Sequence, residues 1–142
     1  MADVAPLQLL IERLPHQPPM RLVEEVLEVV PGVSARARRT AKPDDWYFQG
    51  HFPGNPVVPA IVLVELLAQT GGLASASPHP RRMRVAAFGG FKFPAAAAAG
   101  STLEAVARVA GRLGAMTRIE GEVFADGRSV AVGSVTLAEV SA

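Results

Sequence analysis

The chain has 142 residues, 49% of them hydrophobic, and a formal net charge of +1. That size predicts one domain spanning residues 1–142, and the interspersed charges leave no basic stripe or acidic tail to call for nucleic acid or a polybasic membrane contact. The absence of cysteine excludes disulfides, thiol nucleophiles and Cys-ligated zinc, and is compatible with a cytoplasmic location.

The opening "MADVAPLQLLIERLP" carries Asp3 and no basic start, so it does not read as an export signal. Within it, Leu7 to Leu14 has apolar residues at helical spacing and Pro15 stops the run, predicting a short amphipathic helix. Met20 to Val30 fits either helix or strand until Pro31-Gly32 turns the chain, and alternation in "VSARARR" predicts a half-exposed strand.

Trp46 to Val64 contains no charged residue, but Pro53, Pro56 and Pro59 interrupt it and Glu65 follows, which argues against a membrane span. Ile61 to Ala76 predicts a helix buried on most sides, with Pro59 ahead of it. "SPHPRRMR" reads as an exposed connection and "PAAAAAG", Pro94 to Gly100, as a connection without a function of its own.

After Met83 the pattern turns to period two. Leu103 to Leu113 leans to strand, because Leu103, Ala105, Ala107 and Val109 share one face. Asp126-Gly127 between strand-like flanks predicts a tight hairpin. Together these elements predict an α+β fold, one long buried helix with several antiparallel strands.

Chemistry concentrates in "GHFPGNPVVPAIVLVELLAQ", Gly50 to Gln69. Its glycines and prolines fix the backbone path around His51, whose imidazole exchanges a proton near neutral pH; a hydrogen-bonded structural histidine is the plainer reading. Glu65 sits in an apolar run, where a buried ionised carboxylate is expensive unless paired. Either burial keeps it protonated as a donor, or it turns to solvent or to a core arginine. Gln69, one turn on, is placed to orient the carboxyl or to serve as a simple core amide. Free N–H groups near Ala60 and Ile61 at the helix start offer a place for an enolate-like oxygen. A base, an acid and an anion site suit elimination of water from a 3-hydroxyacyl compound. The three histidines, His16, His51 and His79, lack ligand spacing, and no nucleotide-binding or serine-hydrolase motif is present, so neither metal nor nucleotide is expected.

"GHFPGNPVVPA" followed by "LVELLAQ", with Glu65 fourteen positions after His51, closely resembles the 3-hydroxyacyl-[acyl carrier protein] dehydratases of the hotdog fold. The likeness extends upstream through "LPHQPPMRLVEEVLEVVPG" and downstream through "FADGRSVAVGSVTL". It implies a curved antiparallel sheet wrapped around a long central helix, and a homodimer joined sheet edge to sheet edge, with a trimer of dimers also within the family's range. It implies that His51 takes the C2 proton, that Glu65 of the other subunit is the acid at the C3 hydroxyl, and that the product is a trans-2-enoyl thioester. The Val57 carbonyl would orient the histidine and the Ala60 N–H would polarise the thioester carbonyl. The partner would be an acyl carrier protein and no cofactor is implied. Glutamate at position 65 resembles the plain dehydratase branch; the dehydratase-isomerases use aspartate there.

Departures from the family pattern include Ala60 for the usual glycine, Gln17-Pro18-Pro19, and "FKFPAAAAAGS" in place of a more charged segment. They leave fatty acid and polyene or polyketide biosynthesis open as pathways. Arg81, Arg82, Arg84 and Lys92 could meet an acidic carrier or simply form a solvated charge run. Two alternatives remain: an acyl-thioester hydrolase on the same fold, and a noncatalytic acyl-chain or carrier-protein binding module.

Overall fold

The computed structural model describes residues 4–140; residues 1–3, with Asp3, and residues 141–142 lie outside the described residues. Helix α1, Val4–Leu9, starts the described chain and tightens into a 3-10 turn over Leu10–Arg13. The predicted helix thus begins earlier and changes pitch before Pro15. Ile11 and Leu14 are buried. Gln8 reaches strand β1, Glu25–Val30, donating to the Val26 carbonyl at 2.8 Å and accepting from its N–H at 2.9 Å. One side-chain amide thereby satisfies both backbone groups at one position of this edge strand.

The ambiguous stretch to Val30 therefore resolves as a strand, with Val26 fully inside. Strand β2, Ser34–Thr40, pairs with β1 across the Pro31-Gly32 turn, and its inward residues Ala35 and Ala37 are fully buried. Strands β3, Met83–Lys92, β4, Thr102–Leu113, β5, Met116–Ala125, and β6, Arg128–Glu139, complete one antiparallel six-stranded sheet in the order β1-β2-β4-β5-β6-β3. The segment 103–113 is the expected strand, burying Leu103, Ala105 and Ala107. Asp126 and Gly127 join β5 to β6 with φ of 49° and 83°, both in the left-handed region that a type I′ hairpin requires.

Helix α2, Ala60–Ala74, lies across the inner sheet face. It ends two residues short of the expected Ala76, which has φ of 55° and leaves the helix. Leu66 and Leu67 are fully buried, each worth about 1.5–3 kcal/mol on burial, and they fix which way the helix faces. Two contacts bring helix and sheet unusually close. A Cβ on Gly71 would stand 2.8 Å from Ile119, and one on Gly121 would stand 2.2 Å from the Val106 carbonyl and 2.6 Å from Leu67. A helix-interior glycine costs about 0.5–1 kcal/mol relative to alanine, less than overpacking this contact would.

Burial of α2 is one-sided in its first turns, contrary to the expectation of burial on most sides: Ile61 is 74% exposed, and Val64 and Glu65 are half-buried. The exposed connection before β3 holds as expected, except that Ser77 and Met83 are buried and Pro80–Arg82 forms a 3-10 turn. The architecture is the α+β hotdog arrangement, with a curved sheet around a central helix.

Candidate active site

The loop carrying His51 is anchored from both ends. Before it, a 3-10 turn over Trp46–Phe48 buries Tyr47 and Phe48. Arg39, on β2 and only 8% exposed, meets Asp45 at 3.1 Å, donates to the Tyr47 hydroxyl at 3.3 Å and to the Leu22 carbonyl at 3.1 Å. The Tyr47 hydroxyl donates to Asp45 at 2.7 Å. Burial opposes the Arg39 charge, but Tyr47 and Asp45 outweigh it and raise its pKa above the ordinary value.

Within the loop, the His51 N–H donates to the Phe48 carbonyl at 3.1 Å, and Phe52 and Asn55 exchange backbone bonds of 3.1 and 2.9 Å. The Val57 N–H returns to the His51 carbonyl at 3.1 Å. The His51 Nδ1 lies 3.0 Å from the Val57 carbonyl oxygen. A carbonyl only accepts, so Nδ1 carries the hydrogen and Nε2 is left with its lone pair. Phe52 stacks on the imidazole with ring centroids 4.1 Å apart. The far end of the loop is held by the alanine tract: Val58 N–H donates to Ala97 carbonyl at 2.8 Å, Ala99 N–H to Pro56 carbonyl at 3.2 Å, and Val57 bridges Ala98. The tract was expected to be a bare connection; instead it pins the backbone that faces the histidine.

Glu65 projects from the second turn of α2 into a cavity of about 520 Å³, lined also by Pro15, His16, Gln69, Met83, Val85 and Phe88. Its side chain is 23% exposed, so the carboxyl is not sealed in apolar surroundings, and its partner is His16, whose Nε2 lies 3.3 Å from Oε1. Neither the expected solvent-facing carboxylate nor a core arginine describes it. Gln69 is 1% exposed and makes no hydrogen bond to Glu65 among the described residues. Its Oε1 accepts from Leu22 N–H at 2.8 Å and Val23 N–H at 3.4 Å, and its Nε2 donates to the Met20 carbonyl at 2.8 Å. Gln69 is therefore the core amide of the two expectations, and it stitches the 20–23 segment to the helix.

Ala60 and Glu65 line a second, apolar cavity of about 280 Å³ with Ile61, Val64, Phe88, Phe91 and Phe93. At the helix start, the N–H groups of Val62 and Leu63 turn back to the Pro59 carbonyl at 2.9 and 3.4 Å. Those of Ala60 and Ile61 donate to no backbone oxygen among the described residues. The structure thus joins His51 to Val57, and Glu65 to Ala60 in one cavity and to Gln69 in the other. Neither cavity includes His51. Sequence reasoning missed His16 as a partner of Glu65, although "LPHQPPM" marked its segment. Among the described residues no cluster of three His, Asp or Glu side chains is arranged to hold a metal ion, and no helix is long and apolar enough to cross a membrane.

Residues 14–134 match the family model described as FabA-like domain. The chain is 42% identical over 92 residues to a 3-hydroxyacyl-[acyl-carrier-protein] dehydratase FabZ of Ligilactobacillus salivarius, covering 65% of this chain and 64%, under two thirds, of that protein. A FabZ dehydratase of Acetivibrio thermocellus is 35% identical over 124 residues, covering 81% of this chain and 85% of the relative. Among solved structures, the dehydratase heterocomplex ApeI:P of Xenorhabdus doucetiae superposes with a TM-score of 0.77 at 20% identity, covering 92% of this chain and 91% of that one. An HP0420 homologue from Helicobacter felis gives 0.71 at 17% identity, covering 100% and 94%. These two structural likenesses establish the shared fold. By the matched family model and the length shared with the Acetivibrio protein, the chain belongs to the FabA-like family, with 3-hydroxyacyl-[acyl-carrier-protein] dehydratases as its relatives.

Proposed function

We propose that the protein eliminates water from 3-hydroxyacyl-[acyl carrier protein], giving the trans-2-enoyl thioester. The carrying observation is His51 with Nδ1 capped by the Val57 carbonyl, which leaves Nε2 as the base. In the step, Nε2 takes the C2 proton, the C2–H electrons form the C2=C3 bond, and the C3–O bond breaks as a Glu65 proton reaches the leaving hydroxyl. The thioester carbonyl, enolate-like as the proton departs, would lie against the free N–H at Ala60. The methyl of Ala60, standing where its relatives' usual glycine has none, narrows that approach.

The two cavities described above that Glu65 lines do not include His51, which favours a site completed by a second copy. Edge strand β3 supports the same reading: it pairs only with β6 among the described residues and exposes Val85 at 40% and Phe88 at 61%. One domain over residues 1–142, a homodimer that can stack as a trimer of dimers, and cytoplasmic action on a carrier protein complete the proposal. Both fatty acid and polyene or polyketide biosynthesis fit the reaction.

The test supplies purified protein with 3-hydroxyacyl thioesters of several chain lengths and follows product mass and free thiol. Loss of water with the thioester intact is expected. Free acid and thiol would favour a hydrolase, and tight acyl-carrier binding without turnover would favour a binding module. His51→Ala and Glu65→Gln should each lower the rate by ~10²- to 10⁴-fold, the usual worth of general base or acid assistance; full activity in either would remove it from the mechanism.

A further inference from the structure

We infer that His16 is a positioning residue for Glu65, holding one carboxyl oxygen so that the other is presented to the substrate; this rests on the dehydration reading above. The surroundings leave His16 alone in this part. Gln69 spends its amide on Met20, Leu22 and Val23. Arg84, on the same cavity wall, turns to the carbonyls of Arg81 and Met83 at 3.0 and 2.9 Å. Among the described residues, the polar side chain beside the Glu65 carboxyl is His16, its Nε2 3.3 Å from Oε1.

The other ring nitrogen sharpens the assignment. His16 Nδ1 is buried and has no hydrogen-bond partner among the described residues. A histidine kept for structure is ordinarily pinned through a ring nitrogen to backbone or side chain, whereas this ring's polar neighbour is the acid itself. An orphaned buried N–H is rarer than an orphaned acceptor, so the hydrogen sits on Nε2, the ring nitrogen nearer Oε1, in a contact still short of hydrogen-bond alignment. The 3.3 Å separation is long for a hydrogen bond, as catalytic contacts often are before substrate tightens them.

Glu65 and Gln69, one turn apart, both face the segment that carries His16, and Gln69 bonds to that segment's backbone. The same helix face thus carries the acid and fastens down the residue that orients it. With Oε1 facing Nε2–H, Oε2 carries the transferable hydrogen. When the Oε2–H bond breaks and the hydrogen passes to the leaving hydroxyl, the N–H donor remains on Oε1 and stabilises the carboxylate that forms, while His16 neither gains nor loses a proton.

The experiment compares the wild-type dimer with His16→Leu, His16→Gln and the double variant His16→Leu/Glu65→Gln, each checked for native melting and size. Gln can place its Nε2–H where the imidazole Nε2–H lies. His16→Leu should lose ~10- to 100-fold in kcat, the scale of a misplaced reacting group, with KM moving by less than about threefold. His16→Gln should recover most of that loss, and the double variant should be no slower than Glu65→Gln alone. A folded His16→Leu with wild-type kcat, a Gln variant as slow as Leu, or additive losses would overturn the inference. If the wild type dehydrates no 3-hydroxyacyl thioester, the functional reading falls and the inference with it. Wild-type turnover beside an unaffected His16→Leu sinks the inference alone.

Discussion

Tyr47 anchors the turn that leads into the His51 loop, and it is the chain's one tyrosine. Burial, the largest influence, pushes its phenol from 10.0 up to about 12, while the Arg39 and Asp45 hydrogen bonds pull in opposite directions. A folded value raised above the unfolded one means that the contribution to stability is full below pH 10 and is lost as pH rises toward about 12. Tyrosinate absorbance should therefore titrate near 12 in the folded protein and near 10 in urea, with unfolding free energy falling across that window. A folded titration near 10 would show that the phenol is not sealed. At this scale the sequence was partly legible. The glycines and prolines around His51 announced a shaped loop, and the apolar neighbours of Glu65 announced a carboxyl in need of a partner. Which partner was not readable, because His16 and Glu65 meet only when the 14–23 segment folds against α2.

Among the elements, the contact of α2 with β5 sets how deeply the helix lies in the sheet. Gly121→Ala forces a methyl toward the Val106 carbonyl and Leu67, and should cost about 1–3 kcal/mol, occasionally more. A lowered urea midpoint with an unchanged m-value is the expected signature, and an unchanged midpoint would show that the sheet yields freely. Leu103 to Leu113 and the Asp126-Gly127 hairpin were legible because alternation and turn chemistry are local. The stretch ending at Val30 was not, since its Val, Leu and Glu spacing fits both periods; strand pairing of Glu25 with Arg38 and Val26 with Ala37, with Gln8 against Val26, decides it. The alanine tract misled for a similar reason. Its role lies in backbone bonds, from Val58 N–H to the Ala97 carbonyl and from Ala99 N–H to the Pro56 carbonyl, which side-chain composition does not encode.

For the whole molecule, the proposal turns on each complete site being built from two copies. His51 sits outside the two cavities described for Glu65, and β3, an edge strand among the described residues, carries exposed Phe88 beside them. A family resemblance supplied that arrangement in advance; periodicity and composition carry no information about which subunit lends which residue. If His51 of one copy works with Glu65 of the other, a dimer built from one His51→Ala chain and one Glu65→Gln chain contains one intact site and one doubly disabled site. The most direct measurement is therefore enoyl-thioester formation by the two variants separately and after denaturation and refolding as an equimolar mixture. Each variant alone should be nearly inactive, while random re-pairing by the two-fold rule should return roughly a quarter of wild-type activity. A mixture shown to contain mixed dimers yet no more active than its components would contradict the shared His51–Glu65 site.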